Sequence, residues 1–301
     1  MAGSTAHIVQ SLVANALIAA FKGVAAAITG SGALLAETIH TLADCGNQLL
    51  LLLGVKQARN PATAKHPLGY GRALYFWSFM VAMLLFTGGG AFSIYEGIHK
   101  IRNPEAVGSI TIGVIVLAVA LVIEGWATIG NIRELNKRRG TTPFFRYLRE
   151  TKDSDLVVVF GENSAAVLGL ALALPALILA RTTGDGRWDG GGSLAVGVVL
   201  VAVAVFLAVE IKSLLVGEGA DPALENKIRA VIADEPRVLA LIRMITIQQG
   251  PGEVMVAMKL RFVAGLQTGG ELCDVINRLE ARIAERAPEV RWSFIEPDVV
   301  D

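Results

Sequence analysis

Six long apolar stretches occupy the first 216 residues and restrict the folds open to this chain. They cover residues 8–28, 33–55, 73–98, 109–130, 156–180 and 193–216. Each is long enough to cross a hydrocarbon core about 30 Å thick, which takes roughly 20 helical residues. A composition of 53% apolar residues is too hydrophobic for an ordinary soluble enzyme. The sequence therefore predicts an α-helical membrane protein with six transmembrane helices.

Positive charges are distributed unequally among the loops between these stretches. The loops after the second and fourth stretches are rich in cations: Lys56, Arg59, Lys65 and Arg72 in one, and Arg133, Lys137, Arg138, Arg139, Arg146, Arg149 and Lys152 in the other. The loops on the opposite side carry two cations or none. Because Lys and Arg favour the cytoplasmic side, we expect both termini in the cytoplasm. The expected location is a bacterial inner membrane, since neither a transit peptide nor a cleavable signal peptide is recognised at the start.

The character of the sequence changes after Gly217, where charged and apolar residues begin to alternate. The predicted elements are a helix that Asp221 caps with Pro222 in its first position, strands over 237–248 and 253–264, a helix over 270–287 and a strand at "VRWSFIE". This α-β-β-α-β order suggests a small ferredoxin-like α+β domain. We therefore expect a transmembrane domain at 1–216 and a cytoplasmic domain at 217–301.

Polar side chains interrupt the second apolar stretch at helical spacing. Glu37, His40, Thr41, Asp44, Asn47 and Gln48 are three or four positions apart and fall on one helix face. His40 and Asp44 can bring an imidazole nitrogen and a carboxylate oxygen to one point, a pairing that suits zinc. The alternative is a structural cluster of hydrogen bonds between helices. Ionisable groups inside a membrane are costly and usually mark an ion or substrate path, which favours a functional site.

Other functional classes find little support in the sequence. A formal net charge of zero gives no basic surface for a nucleic-acid partner. Cys45 and Cys273 lie far apart without a CxxC pair, so neither a disulfide framework nor a zinc knuckle is indicated. The chain has no phosphate-binding P-loop and no HExxH motif, which argues against an ATP-driven pump and an intramembrane metalloprotease. A non-transporting membrane scaffold whose soluble domain binds partners remains an alternative.

Two segments, "TGSGALLAETIHTLADCGNQLLLLLG" and "NPATAKHPLGYGRALYFWSF", together with the closing "WSFIEPD", resemble the cation diffusion facilitator family of divalent-metal/proton antiporters. "AETIH", "NQLLLLLG", "YFWSF" and "FSIYEGIHKI" are similar to the branch that includes the mitochondrial zinc exporter. The resemblance covers essentially the whole chain. It implies six spans, a cytoplasmic ferredoxin-like domain and a tetrahedral transport site shared between spans two and five.

The resemblance places the metal ligands of span two at His40 and Asp44, whereas span five departs from the family pattern. Its expected ligand pair falls near Gly161 and Ala165, neither of which can bind a metal through its side chain. We expect Glu162 to replace that pair, with Asn163 as an oxygen donor or a supporting partner. The alternative is that Glu162 pairs with a distant Lys or Arg and contacts no metal.

Further polar residues are candidates for supporting roles. Glu37, one turn before His40, could complete the metal shell or only orient it, and Asn47 could serve in either way. Glu124 in span four is a candidate proton relay or a hydrogen-bond partner inside the bundle. Lys22 in span one is expected either to face the bundle or to reach the membrane interface.

The expected activity is export of a divalent cation from the cytoplasm in exchange for protons. Metal binding requires a neutral imidazole and ionised carboxylates, so it displaces protons, and His40 is the natural proton carrier. Zn²⁺ is the expected cargo and no prosthetic group is expected; Mn²⁺, Fe²⁺ or Co²⁺ is the alternative cargo. The soluble domain contains no histidine, so we expect it to form a homodimer rather than to sense metal. His66 in the loop after span two is expected to be structural.

Overall fold

The computed structural model describes residues 2–104, 110–152, 154–265 and 268–299. Its first part is helical: α1 (Ala2–Thr29), α2 (Gly32–Ala58), α3 (Ala73–Leu84), α4 (Phe92–Arg102), α5 (Ile110–Arg138), α6 (Phe144–Glu150), α7 (Ser154–Thr183) and α8 (Arg187–Val216). A π-helical segment at Leu85–Ala91 joins α3 to α4 without a break. The short helix α6 and the π-helical segment were not predicted from the sequence.

Four helical segments of the described chain are long and apolar enough to cross a membrane, and they coincide with predicted spans three to six. They are Ala73–Arg102, Thr111–Arg138, Val157–Thr183 and Arg187–Val216. The predicted spans 8–28 and 33–55 are helical in α1 and α2. Among the described residues searched in α1, Asn15–Thr29 is an apolar helix of less than spanning length. The polar stripe of α2 lowers the hydropathy of that helix, so the six-span arrangement stays a prediction.

Helices α4 and α8 approach each other closely through glycines. A Cβ atom on Gly97 of α4 would lie 2.5 Å from the backbone nitrogen of Leu194 in α8. A Cβ atom on Gly197 of α8 would lie 2.7 Å from the backbone nitrogen of Ile94 in α4. Small residues allow such contact between membrane helices. This packing holds the start of α8 close to the end of α4.

The start of α8 also caps the start of α2. The carboxylate of Asp189, which is fully buried, accepts hydrogen bonds from the Ser31 hydroxyl at 2.6 Å and from the backbone N–H groups of Gly32 at 2.6 Å and Ala33 at 3.2 Å. The Lys100 ammonium of α4 lies 3.4 Å from the same carboxylate. The first N–H groups of a helix have no partner within the helix. Asp189 supplies one, and it fixes the beginning of α2 against α4 and α8.

The chain divides into two compact units, and the second combines the C-terminal residues with two loops. The first unit takes the described parts of 1–56, 76–149 and 154–212; the second takes those of 57–75, 150–153 and 213–301. The boundary predicted from the sequence lies at 216/217, with both loops in the transmembrane domain. The loop 57–75 packs on the C-terminal part, since a Cβ atom on Gly71 would lie 2.6 Å from the carbonyl oxygen of Gln249.

The C-terminal part of the second unit follows the predicted order α-β-β-α-β. It consists of α9 (Pro222–Ala233), β1 (Val238–Gly250), β2 (Glu253–Phe262), α10 (Gly269–Arg286) and β3 (Val290–Pro297). The strands lie in the order β1-β2-β3, with β1 and β2 antiparallel and β2 and β3 parallel. Asp221 caps α9 as predicted, because its side chain accepts a 2.7 Å hydrogen bond from the Ala223 N–H.

Apolar side chains of α9, α10 and the sheet form the core of this unit. Five of these side chains are fully buried: Ile228 and Val231 of α9, Leu279 of α10, and Val256 and Leu260 of β2. The alternating burial along β2 shows that one face of the sheet meets the two helices.

Candidate functional site

The polar stripe of α2 faces the interior of the first unit. Glu37, His40, Thr41, Asp44 and Asn47 are all buried. Leucines on the opposite side of the helix, namely Leu42, Leu49 and Leu53, are exposed. The residues of the predicted polar stripe therefore share one face of α2, with Gln48 half-buried, and the ionisable groups point into the helix bundle.

His40 and Asp44 approach each other without a hydrogen bond. The Nδ1 atom of His40 lies 3.7 Å from Oδ1 of Asp44. Both ring nitrogens of His40 and the Oδ1 atom of Asp44 are buried and have no hydrogen-bond partner among the described residues. A buried polar atom without a partner is costly. A proton or a metal cation at this position would satisfy these atoms.

Glu162 of α7 is joined to the polar stripe through Asn47 of α2. The Oε1 atom of Glu162 accepts a 2.6 Å hydrogen bond from Nδ2 of Asn47. Glu162 is 9% exposed. Its described partner is thus an amide on the neighbouring helix rather than the distant Lys or Arg of the alternative interpretation, and it keeps the carboxylate beside α2.

A cavity of about 290 Å³ lies between α1, α2, α5 and α7. Four predicted site residues line it: Asp44, Glu124, Glu162 and Asn163. The remaining lining residues are Asn15, Gln48, Leu51, Ala127, Val159 and Ala166. The structure therefore brings one proposed ligand of α2, one of α7 and the candidate relay of α5 to a single cavity.

The predicted metal ligands His40, Asp44 and Glu162 are not grouped around a single point in this structure. Within the described chain, no group of three or more His, Cys, Asp and Glu side chains is placed to hold a metal ion. His40 is not among the residues that line the cavity, although Asp44 one turn away is. Carboxylates such as Asp44 and Glu162 repel each other in a medium of low dielectric constant unless a cation lies between them.

Glu37 binds a lysine that the sequence did not connect with it. The Lys22 ammonium of α1 lies 3.2 Å from Oε2 of Glu37 and 3.0 Å from the Thr41 hydroxyl. Lys22 is 1% exposed. Of the two placements expected for Lys22, the structure shows the one that faces the bundle.

Asp189 is the functional-looking buried acid that sequence analysis missed. The predicted sixth span began at residue 193, four positions after it, because charged residues were assigned to the loop. The sequence signal for a buried acid here was Asp189 itself, within "RWDGGGS". The Gly and Ser residues that follow it permit close helix packing.

The predicted structural role of His66 agrees with its surroundings. His66 is exposed, and its ring centroid lies 4.4 Å from that of Tyr70. The Tyr70 hydroxyl in turn lies 3.3 Å from the Thr63 hydroxyl. These contacts lie within the loop and hold its shape.

Long apolar helices around a buried polar cavity define an integral, multi-pass membrane protein of the transporter class. Residues 8–216 match the family model described as the cation efflux transmembrane domain. This match covers more than half of the chain, and the chain therefore belongs to the cation efflux family.

Curated relatives support the predicted branch of the family. The protein named "Proton-coupled zinc antiporter SLC30A9, mitochondrial" from Xenopus laevis is 31% identical over 265 residues, which cover 87% of this chain and 47% of that protein. The protein of the same name from Homo sapiens is 30% identical over 257 residues, which cover 85% of this chain and 45% of that protein. "Metal tolerance protein C4" from Arabidopsis thaliana is 29% identical over 247 residues, which cover 81% of this chain and 52% of that protein. The chain spans about half the length of the curated relatives it matches.

Proposed function

We propose that this protein is a secondary transporter that exports a divalent metal cation, with Zn²⁺ as the preferred cargo, in exchange for protons. The observation that carries the proposal is the set of buried polar atoms of His40 and Asp44 that have no described partner, beside a cavity that also reaches Glu162. Two relatives are named as proton-coupled zinc antiporters, which agrees with this cargo and this counter-ion.

His40, Asp44 and Glu162 are the proposed metal ligands, with Asn47 and Asn163 as supporting groups. Asn47 holds the Glu162 carboxylate by its 2.6 Å hydrogen bond. Asn163 lines the cavity next to Glu162 and could add an oxygen ligand. The cation draws the carboxylates of α2 and α7 toward each other, because it removes their mutual repulsion. One imidazole favours Zn²⁺, whereas the two carboxylates keep Mn²⁺, Fe²⁺ and Co²⁺ as alternatives.

Proton exchange follows from the chemistry of these ligands. His40 binds metal only as a neutral imidazole, and the carboxylates bind it only when they are ionised. A proton on either type of ligand therefore competes with the metal. Glu124 of α5 lines the same cavity as Asp44 and is the proposed carrier of protons to and from these ligands.

The cavity indicates the side from which the proposed site loads. Along α2 its lining extends from Asp44 to Leu51, toward the C-terminal end of the helix. Ala33, Leu34 and Ala36 at the other end are fully buried. The C-terminal end of α2 leads into the cation-rich loop 57–75, which we assign to the cytoplasm. This lining supports uptake of cargo from the cytoplasm, followed by a rearrangement of the helices toward the other side.

The proposal keeps the six-span topology, with both termini in the cytoplasm. The spans are α1, α2, the continuous α3–α4 segment, α5, α7 and α8. The expected bacterial inner membrane rests on the sequence alone, and the animal relatives are named as mitochondrial. The C-terminal domain is proposed to be ferredoxin-like, in line with its α-β-β-α-β order.

The proposed homodimer places a second copy of the chain on the free face of the C-terminal sheet. Leu239 and Ile245 of β1 and Phe294 of β3 are exposed. Ile245 and Phe294 are both paired with Ala257 of β2, so they form one row across the sheet. An exposed apolar row of this kind is a usual sign of a protein interface.

Proteoliposomes that report internal zinc and internal pH test the transport proposal. We expect His40→Ala and Asp44→Ala to reduce zinc-driven proton flux by at least about tenfold, because each removes a metal ligand. His66→Ala, which changes an exposed loop histidine, is the matched control and should retain the flux. Full flux in either His40→Ala or Asp44→Ala would overturn the proposal. Unchanged flux in Glu162→Gln would remove only the ligand assigned to α7.

A further inference from the structure

Lys22 is a buried cation on α1 directly beside the polar stripe of α2. Its ammonium is 1% exposed and donates hydrogen bonds to Oε2 of Glu37 at 3.2 Å and to Oγ1 of Thr41 at 3.0 Å. The Thr41 hydroxyl in turn donates to the carbonyl oxygen of Glu37 at 2.9 Å. A lysine inside a membrane bundle is costly and is retained where its charge is used. The proposed transport chemistry gives Lys22 no role.

Glu37 is fixed between Lys22 and α7. One of its carboxylate oxygens, Oε2, is bound to the Lys22 ammonium. The other, Oε1, is close enough to α7 that a Cβ atom on Gly169 would lie only 2.6 Å away. Glu37 is fully buried. Oε1 has no hydrogen-bond partner among the described residues. Because Oε2 is bound to Lys22 and Oε1 lies against Gly169 of α7, the Glu37 carboxylate would have to turn to reach a cation held by His40 and Asp44.

The charges around the proposed site are balanced only if Lys22 is counted. Asp44 and Glu162 carry two negative charges, which match a divalent cation, and Glu124 serves proton transfer in the proposed function. Glu37 would add a further negative charge on the same face of α2, one turn from His40. The Lys22 ammonium cancels this charge at 3.2 Å. In a medium of low dielectric constant, an uncancelled charge at such a distance would act strongly on the bound metal.

We infer that Lys22 is a positioning residue that holds Glu37 out of the metal shell and thereby sets the metal preference of the site. With Lys22 in place, the cargo meets one imidazole and two carboxylates. Without it, Glu37 turns to the cation and supplies a third carboxylate. A shell richer in carboxylate oxygen favours harder cations such as Mn²⁺ over Zn²⁺. This inference rests on the proposed transport site at His40, Asp44 and Glu162.

Equilibrium binding of Zn²⁺ and Mn²⁺ to the purified full-length protein, in competition with a fluorescent chelator, tests the inference. Lys22→Met removes the ammonium and keeps a flexible chain, and it should raise the affinity for Mn²⁺ relative to Zn²⁺ by about tenfold, the scale on which neighbouring groups tune metal sites. The double variant Lys22→Met/Glu37→Gln removes both charges of the pair. It should bind both metals as the unmodified protein does.

Two controls separate this role from a purely structural one. Lys100→Met removes a partly buried lysine of another ion pair in the same unit, 3.4 Å from the Asp189 carboxylate, and should leave the Zn²⁺/Mn²⁺ ratio unchanged. Glu37→Gln alone leaves an unpaired ammonium near the site. It should weaken binding of both metals by a similar factor, because the effect is electrostatic and does not depend on the ligand type.

The outcomes distinguish failure of this inference from failure of the proposed function. If His40→Ala binds Zn²⁺ normally, the proposed site itself is wrong. If His40→Ala abolishes binding and the double variant also abolishes it, Glu37 is a metal ligand and the inference is overturned. An unchanged Zn²⁺/Mn²⁺ ratio in Lys22→Met would likewise overturn it. If Lys22→Met does not elute as a single folded species, the ratio is measured in Lys22→Gln, which removes the charge and keeps a polar side chain beside Thr41; an unchanged Zn²⁺/Mn²⁺ ratio there overturns the inference.

Discussion

At the level of single residues, the site combines paired and unpaired polar atoms on one helix face. Lys22 neutralises Glu37, and Asn47 binds Glu162. Between these two contacts, His40 and Asp44 keep polar atoms without a described partner. Paired groups hold a fixed geometry, whereas unpaired groups gain most from a ligand. Oε1 of Glu37 and Oδ1 of Asn47 also have no described partner, but each of these side chains is held by one contact, whereas neither ring nitrogen of His40 has one. Positioning therefore suits Glu37 and Asn47, and cargo binding suits His40 and Asp44.

The close contact of Gly169 with Glu37 gives a prediction about a single methyl group. Gly169→Ala would place its Cβ atom 2.6 Å from the Glu37 carboxylate, so either Glu37 or α7 must move. Overpacking of this kind costs about 1–3 kcal/mol. We expect a lower midpoint of thermal unfolding in detergent and weaker Zn²⁺ binding.

Gly125→Ala is the control for this substitution, since nothing lies within 4 Å of a Cβ atom there. It should leave Zn²⁺ binding unchanged and should leave stability equal or up to about 1 kcal/mol higher, because alanine is the better helix former. Equal behaviour of the two variants would show that Glu37 is not fixed against α7.

The residues of the polar stripe could be predicted from helical spacing, but their partners could not. Spacing within one helix follows from its period, which is why Glu37, His40 and Asp44 were expected to share a face. The contacts from Lys22 to Glu37 and from Asn47 to Glu162 cross between helices and join residues 15 and 115 positions apart in sequence. Such contacts depend on how the helices pack, and a single sequence does not contain that information in readable form.

At the level of elements, the contact between α4 and α8 couples helix packing to the cap of α2. Gly97 and Gly197 let the two helices touch through backbone atoms. That contact brings Lys100 of α4 and Asp189 of α8 to the beginning of α2. The cap therefore depends on three helices, and a change in the spacing of α4 and α8 reaches the helix that carries the proposed metal ligands.

Adjacent glycines of α8 allow a direct test of this coupling. A Cβ atom on Gly190 would lie 2.9 Å from the backbone nitrogen of Ile101, whereas one on Gly191 would have nothing within 4 Å. Gly190→Ala should therefore lower the free energy of unfolding by about 1–3 kcal/mol, and Gly191→Ala should not lower it. Thermal unfolding in detergent measures both. Equal midpoints for the two variants would contradict the close packing of α4 and α8.

Helix positions were predictable to within a few residues, with informative exceptions. Apolar length located the helices, but it placed the start of the sixth span at 193, whereas α8 begins at Arg187. The additional residues include Asp189, which is buried because it caps another helix. The π-helical segment at Leu85–Ala91 was missed for a different reason. Hydrophobic periodicity in a mainly apolar segment does not show whether its turns are α-helical or π-helical.

At the level of the whole molecule, the second unit shows the limit of dividing a chain by hydropathy. Hydropathy separates apolar from polar stretches along the sequence, and it placed the boundary after residue 216. The loop 57–75 nevertheless packs with the C-terminal residues, as the approach of Gly71 to Gln249 shows. A loop between two membrane helices can belong to a compact unit formed far along the chain, and local composition does not reveal which unit it joins.

The proposed topology places this loop and the C-terminal part on the cytoplasmic side, and cysteine labelling tests it. Three variants each retain one cysteine in a background with Cys45→Ala: native Cys273, Ala64→Cys in the loop 57–75, and Thr182→Cys at the end of α7. All three positions are exposed. The last two variants also carry Cys273→Ser.

A membrane-impermeant maleimide should react with Cys273 and Ala64→Cys only in inside-out vesicles, and with Thr182→Cys only in right-side-out vesicles. The reason is that the cation-rich loops are retained in the cytoplasm, whereas the connection between α7 and α8 is flanked only by Arg181 and Arg187. Reaction of Ala64→Cys and Thr182→Cys from the same face would mean that an odd number of the helices α3–α4, α5 and α7 fails to cross the membrane. Reaction of these two variants from opposite faces requires an odd number of crossings between residues 64 and 182. The three proposed crossings, by α3–α4, α5 and α7, meet this requirement.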